Sequence, residues 1–184
     1  MNIFLGLVPF IVFWVLMRLV SPVAGLSGAA LASLLLCFRV WRLGKAIKIL
    51  ELGSLILFTL LSVYTVAFHP PWTVPTVRLV VDAGLFAIIL FSLLVGKPFT
   101  LQYARESVPQ EHWTSPQFFR TSAIISSVWG AAFAVSAIAD AFLAFVPAVP
   151  GWIDVALSIV ALLGAAQFTK WYRSSRSRVG VAPP

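Results

Sequence analysis

Residues 78–96 read RLVVDAGLFAIILFSLLVG. Beyond Asp82 the stretch carries no charge, and it is framed by Thr73-Val74-Pro75 before it and Lys97-Pro98 after it. A helix that crosses a bilayer needs about 20 largely apolar residues, and proline and glycine punctuate such helices at their ends. The stretch therefore predicts a transmembrane helix. Composition extends that expectation to the whole chain. Of its 184 residues, 60% are apolar and 10% charged, and the mean hydropathy is +0.99. Soluble domains run about 45–50% apolar and about 25% charged, and a chain of this size has too little interior to hide the excess.

Working outward, five more stretches have the same character, at about 2–19, 22–38, 50–68, 120–144 and 152–170. The expected fold is all-α: a polytopic transmembrane bundle of six spans forming a single integral membrane domain. Stretch 22–38 is short and rich in small residues, and its loss would leave five spans. The first stretch opens Met1-Asn2-Ile3 without a basic n-region and runs apolar to Arg18, which reads as an uncleaved helix rather than a signal peptide.

Charge sets the orientation. The net charge is +7 and the pI about 10.4. Eleven of the thirteen basic residues fall after the second span (Arg39, Arg42, Lys45, Lys48), after the fourth (Lys97, Arg105, Arg120) and in the tail (Lys170, Arg173, Arg176, Arg178). The positive-inside rule puts these segments and both termini in the cytoplasm. Trp41, Trp72, Trp113, Trp152 and Trp171 fall near the predicted interfaces, where indole rings tend to sit. On a membrane protein such charge implies contact with anionic lipid rather than nucleic acid. The single Cys37 excludes a disulfide framework, and hydrophobicity excludes disorder.

The connections are uneven. His69-Pro70-Pro71-Trp72-Thr73-Val74-Pro75 and Val146-Pro147-Ala148-Val149-Pro150-Gly151 are short turns on the outer side. The segment 97–116 is the long one. Its Phe99, Leu101, Tyr103 and Ala104 suit a short interfacial helix lying on the membrane, with Gln102, Arg105 and Glu106 in water. Ser115-Pro116 reads as an N-cap with proline at the first helical position. A basic tail, 171–184, ends the chain.

Ionisable groups within a bilayer are costly and mark either pairing or function. Arg18, Arg78, Asp82, Asp140 and Asp154 collect toward the outer side, with Arg78 and Asp82 four apart on one helix face. They form either a structural charge network or the path of a small transporter or channel using Asp82, Asp140 and Arg78. Transport sites lie near mid-depth, so clustering at one end favours the network. Span three carries a polar stripe of Glu51, Ser54, Ser62 and Thr65. Ala24, Gly28 and Ala32, and likewise Ser126, Gly130 and Ala134, recur every four residues. Such stripes let helices approach closely, within the bundle or in a homo-oligomer. Arg42, Lys45, Lys48, Lys97, Tyr103 and Arg105 are the expected lipid or partner contacts. His69 and His112 fall on opposite sides of the membrane, and no hydrolase, zincin or phosphate-loop motif occurs. The expectation is a protein that is not an enzyme, with no catalytic residue, cofactor or metal.

One set of motifs resembles a known family. Phe4-Leu5 with Pro9 and Phe13, Trp41-Arg42 with Lys45 and Lys48, Thr65 with Phe68-His69, Lys97-Pro98, Val108-Pro109 with Trp113, and Trp129 with Phe133 occur in this order. The series is similar to that of the bacterial intracellular septation protein A family of inner-membrane proteins, and it covers roughly residues 1–145. Arg42 follows Trp41 directly, where the family spaces its basic segment as W-x-R-x-x-K. Ser126 and Asp140 stand where the family tends to carry asparagine, the stretch Pro116–Arg120 is longer, and the basic tail ends Pro183-Pro184. The resemblance implies a protein of envelope maintenance and septation that works through division or elongation proteins. It carries no catalytic residues over.

Overall fold

The computed structural model describes residues 3–106, 108–145 and 151–178. All the regular structure there is helical: α1 (Ile3–Gly6), α2 (Val8–Leu19), α3 (Pro22–Arg42), α4 (Ile49–Phe68), α5 (Val74–Leu94), α6 (Phe99–Ala104), α7 (Pro116–Phe145) and α8 (Gly151–Arg178), with a 3-10 turn at Gln110–His112. Helices α3, α4, α5 and α7, and Val155–Ser175 within α8, are long and apolar enough to cross a membrane. The chain is a multi-pass membrane protein.

Helix ends follow local chemistry. Ser21 accepts the Ala24 N–H at 3.2 Å, and Pro22 occupies the first helical position, where a missing donor costs nothing. Thr73 caps α5 in the same way. Ser115 accepts the Phe118 N–H at 3.2 Å, which places the start of α7 at the expected Ser-Pro pair. Gly96 ends α5 at φ +65°, a left-handed position that glycine adopts without strain.

Neighbours in sequence are neighbours in space: α2 packs on α3, α3 on α4, α4 on α5, α5 on α7 and α7 on α8. The core runs through all of them, from Phe13 and Leu26 through Phe58, Val81 and Ile125 to Ala165. Short links make successive helices antiparallel. The end of α3, the starts of α4 and α7, and α6 therefore meet at one end, called here the basic end. Helix α1 lies there too, since a Cβ added at Gly6 would collide with the Tyr103 hydroxyl.

Three expectations need correction. The short span is the first, not the second. Stretch 22–38 is a 21-residue helix reaching Arg42, whereas 2–19 is divided at Leu7 and leaves only 12 residues in α2. Pro9 is the physical reason, because it lacks the donor a continuous helix would need. Next, α6 does not lie on the membrane surface. Phe99, Thr100, Leu101, Tyr103 and Ala104 are all buried. Thr100 donates to the Ser122 carbonyl at 2.8 Å and bonds Ser126 Oγ at 2.8 Å, so α6 plugs the basic end against α7. Finally, the tail continues α8 as helix to Arg178, and Phe168 stacks on Tyr172 at 5.4 Å. The expected turn at 146–150 and the last tail residues, 179–184, lie outside the described residues.

The small-residue stripe of α3 is shifted by one. Gly25, Ala29, Ser33 and Cys37 form the buried series of α3, rather than Ala24, Gly28 and Ala32. A Cβ at Gly25 would stand 2.9 Å from both the Phe13 carbonyl oxygen and Met17 Cβ, so only glycine admits this approach of α2. On α7, Ser126 and Gly130 are buried as expected, with Ala134 half-buried.

Candidate functional site

Charged side chains gather at both ends of the bundle. At the end opposite the basic one, Arg78 occupies the second turn of α5 and Asp140 the last turns of α7. Arg78 Nε lies 3.3 Å from Asp140 Oδ1, with the Asp140 side chain fully enclosed and the Arg78 side chain 9% exposed. Arg78 Nη2 donates to Ser158 Oγ of α8 at 3.1 Å. One guanidinium thus joins three helices. Its planar, permanently charged fork suits that task where a lysine ammonium would not.

Of the five residues expected in this network, Arg78 and Asp140 are brought together directly. Asp82 is half-buried and lines a cavity with Arg78. Arg18 is not brought in: it is exposed, with its guanidinium 5.8 Å from the Trp14 ring centroid. Asp154 falls in the first turn of α8, and its side chain lies outside the described residues. Sequence reasoning missed Ser158. Its signal is slight, a lone hydroxyl in the apolar run from Val155 to Ala166.

At the basic end a second cluster forms around Lys48, which is 5% exposed. Its Nζ lies 3.0 Å from Glu106 Oε1 and 3.5 Å from Glu51 Oε1, and 4.5 Å from the Tyr103 ring centroid. Glu51 Oε2 accepts the Lys48 N–H, the half of a capping box that the N3 glutamate supplies. Gln102, expected in water, instead accepts the Ile49 N–H at 2.7 Å. Burial pushes the Glu106 carboxyl up, but bonds from charged amino groups, Lys48 among them, outweigh it and hold Glu106 below the usual carboxylate range. Burial foremost, then the Glu51 and Glu106 carboxylates, push the Tyr103 phenol well above its ordinary value. Lys48 and Tyr103, expected as outward contacts, are therefore committed to the interior. Arg42, Lys45, Lys97 and Arg105 are exposed at this end, with Arg105 5.4 Å from the Trp113 ring centroid.

The remaining polar groups of α4 serve packing. Ser62 meets Ser27 of α3 at 2.8 Å, and Thr65 accepts the Trp72 indole N–H at 2.9 Å. His69 ends α4 and His112 precedes α7, at opposite ends of the bundle.

The fold and its charges define a class: an α-helical multi-pass membrane protein whose ion pairs tie its helices together at both ends. No family model matches the chain, and no curated protein or solved structure does either.

Proposed function

We propose that the chain is a non-enzymatic protein of the bacterial inner membrane, a divergent relative of the septation protein A family, supporting envelope maintenance or septation through protein and lipid contacts. The observation that carries this reading is the convergence of exposed Arg42, Lys45, Lys97 and Arg105 on one end of an otherwise apolar bundle. By the positive-inside rule that end faces the cytoplasm. There each basic side chain near an anionic leaflet contributes about 1 kcal/mol of attraction. The same face is available to acidic segments of division or elongation proteins. Broad apolar faces, such as that of Leu31, Leu34, Leu35 and Phe38 on α3, remain exposed for lipid or for partner helices. The enclosed Arg78–Asp140 pair fits a structural staple better than a transport path, because Asp140 has no exposed surface through which to exchange an ion.

The test is genetic and quantitative. In the source cell, the gene is replaced by one carrying Arg42→Gln, Lys45→Gln, Lys97→Gln and Arg105→Gln together. The expected variant inserts at wild-type level and in wild-type orientation, yet gives the cell-length and septum defects of the deletion. Normal division in cells carrying the inserted variant, or a deletion strain with an intact envelope and normal septa, would overturn the proposal.

A further inference from the structure

The buried cations Lys48 and Arg78 each face carboxylates: Glu51 and Glu106 for the first, Asp140 for the second. Arg173 of α8 is different. It is half-buried, and its enclosed Nε has no hydrogen-bond partner among the described residues. The sequence explains why. From Val155 to Pro184 there is no aspartate or glutamate, and α7, against which α8 packs, has none before Asp140. At the basic end Glu51 and Glu106 are held by Lys48, and Glu111 is exposed on the link before α7.

Arg173 is turned toward the bundle. Ser158, Ala165 and Thr169 precede it at spacings of seven, four and four residues, which share one helix face. Ser158 and Ala165 are buried, and Thr169 accepts the Trp129 indole N–H of α7 at 3.1 Å. Lys170, on another face, is exposed. Ser158 meets Arg78 at the end opposite the basic one, so α8 runs toward the basic end, and Arg173 falls in the last turn of its apolar span, Val155–Ser175. Trp171, which is exposed, and Tyr172 stand beside it in sequence, and such rings settle at headgroup level.

A long cation that faces lipid bends out to water. Arg173 faces the bundle with part of its guanidinium enclosed, so an anion brought to it relieves the cost of its charge. What the headgroup level supplies is phosphate. Guanidinium charge is spread over a planar fork that matches phosphate oxygens two at a time, so an anion on the terminal nitrogens compensates the whole group.

We propose that Arg173, on the face of α8 turned to α7 at the basic end, anchors a discrete site for an anionic phosphate group whose charge is not balanced by an amine of its own. An anionic phospholipid and soluble phosphate share this chemistry, and the depth of Arg173 favours the lipid. The site uses none of the four exposed cations of the septation reading and is independent of it.

The test uses the full chain in non-ionic detergent micelles with equimolar phosphatidylglycerol and phosphatidylcholine of identical acyl chains, and native mass spectrometry counts the lipids retained. Phosphatidylglycerol is expected to be retained with a preference of about tenfold, as one charge-assisted contact provides. Arg173→Gln removes most of that preference, whereas Lys170→Gln, which deletes the same charge from an exposed position, leaves it. Arg173→Lys keeps the charge without the fork, weakens the preference severalfold and keeps the test decisive should Arg173→Gln fail to fold. Inorganic phosphate forms the second arm: lipid retained in its presence assigns the site to lipid, displacement extends it to soluble phosphate, and both support the site. Equal retention of the two lipids, a preference that Arg173→Gln or Arg173→Lys leaves intact in folded protein, or an equal loss on Lys170→Gln would overturn the proposal.

Discussion

Replacing Asp140 with asparagine removes a charge and almost no volume, and it isolates the energetics of the α5–α7–α8 junction. The Asp140 side chain is fully enclosed and that of Arg78 is 9% exposed, so water screens little of their interaction. Breaking a buried pair by removing one partner costs about 3–5 kcal/mol, because the other charge stays buried beside a neutral group. Asp82, on the same cavity wall, offsets part of that cost. The expected loss for Asp140→Asn is therefore about 3 kcal/mol, at the low end of the range. Arg78→Met removes the cation and keeps an extended apolar side chain. In the double variant no charge of this pair is left stranded, and about 2 kcal/mol of the loss should return. Reversible unfolding in mixed micelles by a denaturing detergent, followed through tryptophan fluorescence, gives the four stabilities of the double-mutant cycle. A single variant within about 0.5 kcal/mol of wild type, or two single effects that simply add, would refute the staple.

Two further predictions concern other junctions. Gly25→Ala forces a Cβ against the backbone oxygen of Phe13 and should cost about 1–3 kcal/mol by the same unfolding assay. Gly28→Ala should cost less, since its Cβ meets the movable tip of Leu16. At the basic end, Glu106 titrates below its unfolded value, so its stabilising contribution is full above about pH 4.3 and is lost as pH falls through the lower folded value. Lys48→Met should reduce that acid-side slope in a plot of stability against pH, and a slope identical to wild type would show that Lys48 does not hold Glu106.

The long helices were legible because a bilayer imposes a simple rule on apolar run length, and because Ser21-Pro22, Thr73 and Ser115-Pro116 announce their own caps. Hydropathy averages over Pro9, which is why the division of the first stretch was hidden. The register of the α3 stripe was hidden for a different reason. Two adjacent series repeat every four residues, and only the packing of Phe13 and Met17 of α2 against Gly25 selects between them. The α6 plug escaped a one-sided amphipathic reading because Thr100 and Gln102 find protein partners on two different helices. That Arg78, Asp82 and Asp140 belong to one end was visible from their depth in each span. That Arg78 reaches Asp140 depends on how α5 packs on α7, which no local pattern encodes.

The account rests on a bundle whose basic end faces the cytoplasm, and substituted-cysteine labelling tests that most directly. In a Cys37→Ala background, single cysteines replace Lys45, Thr73, Lys97 or Ser174, and intact cells are treated with a membrane-impermeant maleimide. The account predicts labelling at position 73 from outside, and at 45, 97 and 174 only after the membrane is opened. Labelling of 45 and 73 from the same side would contradict it.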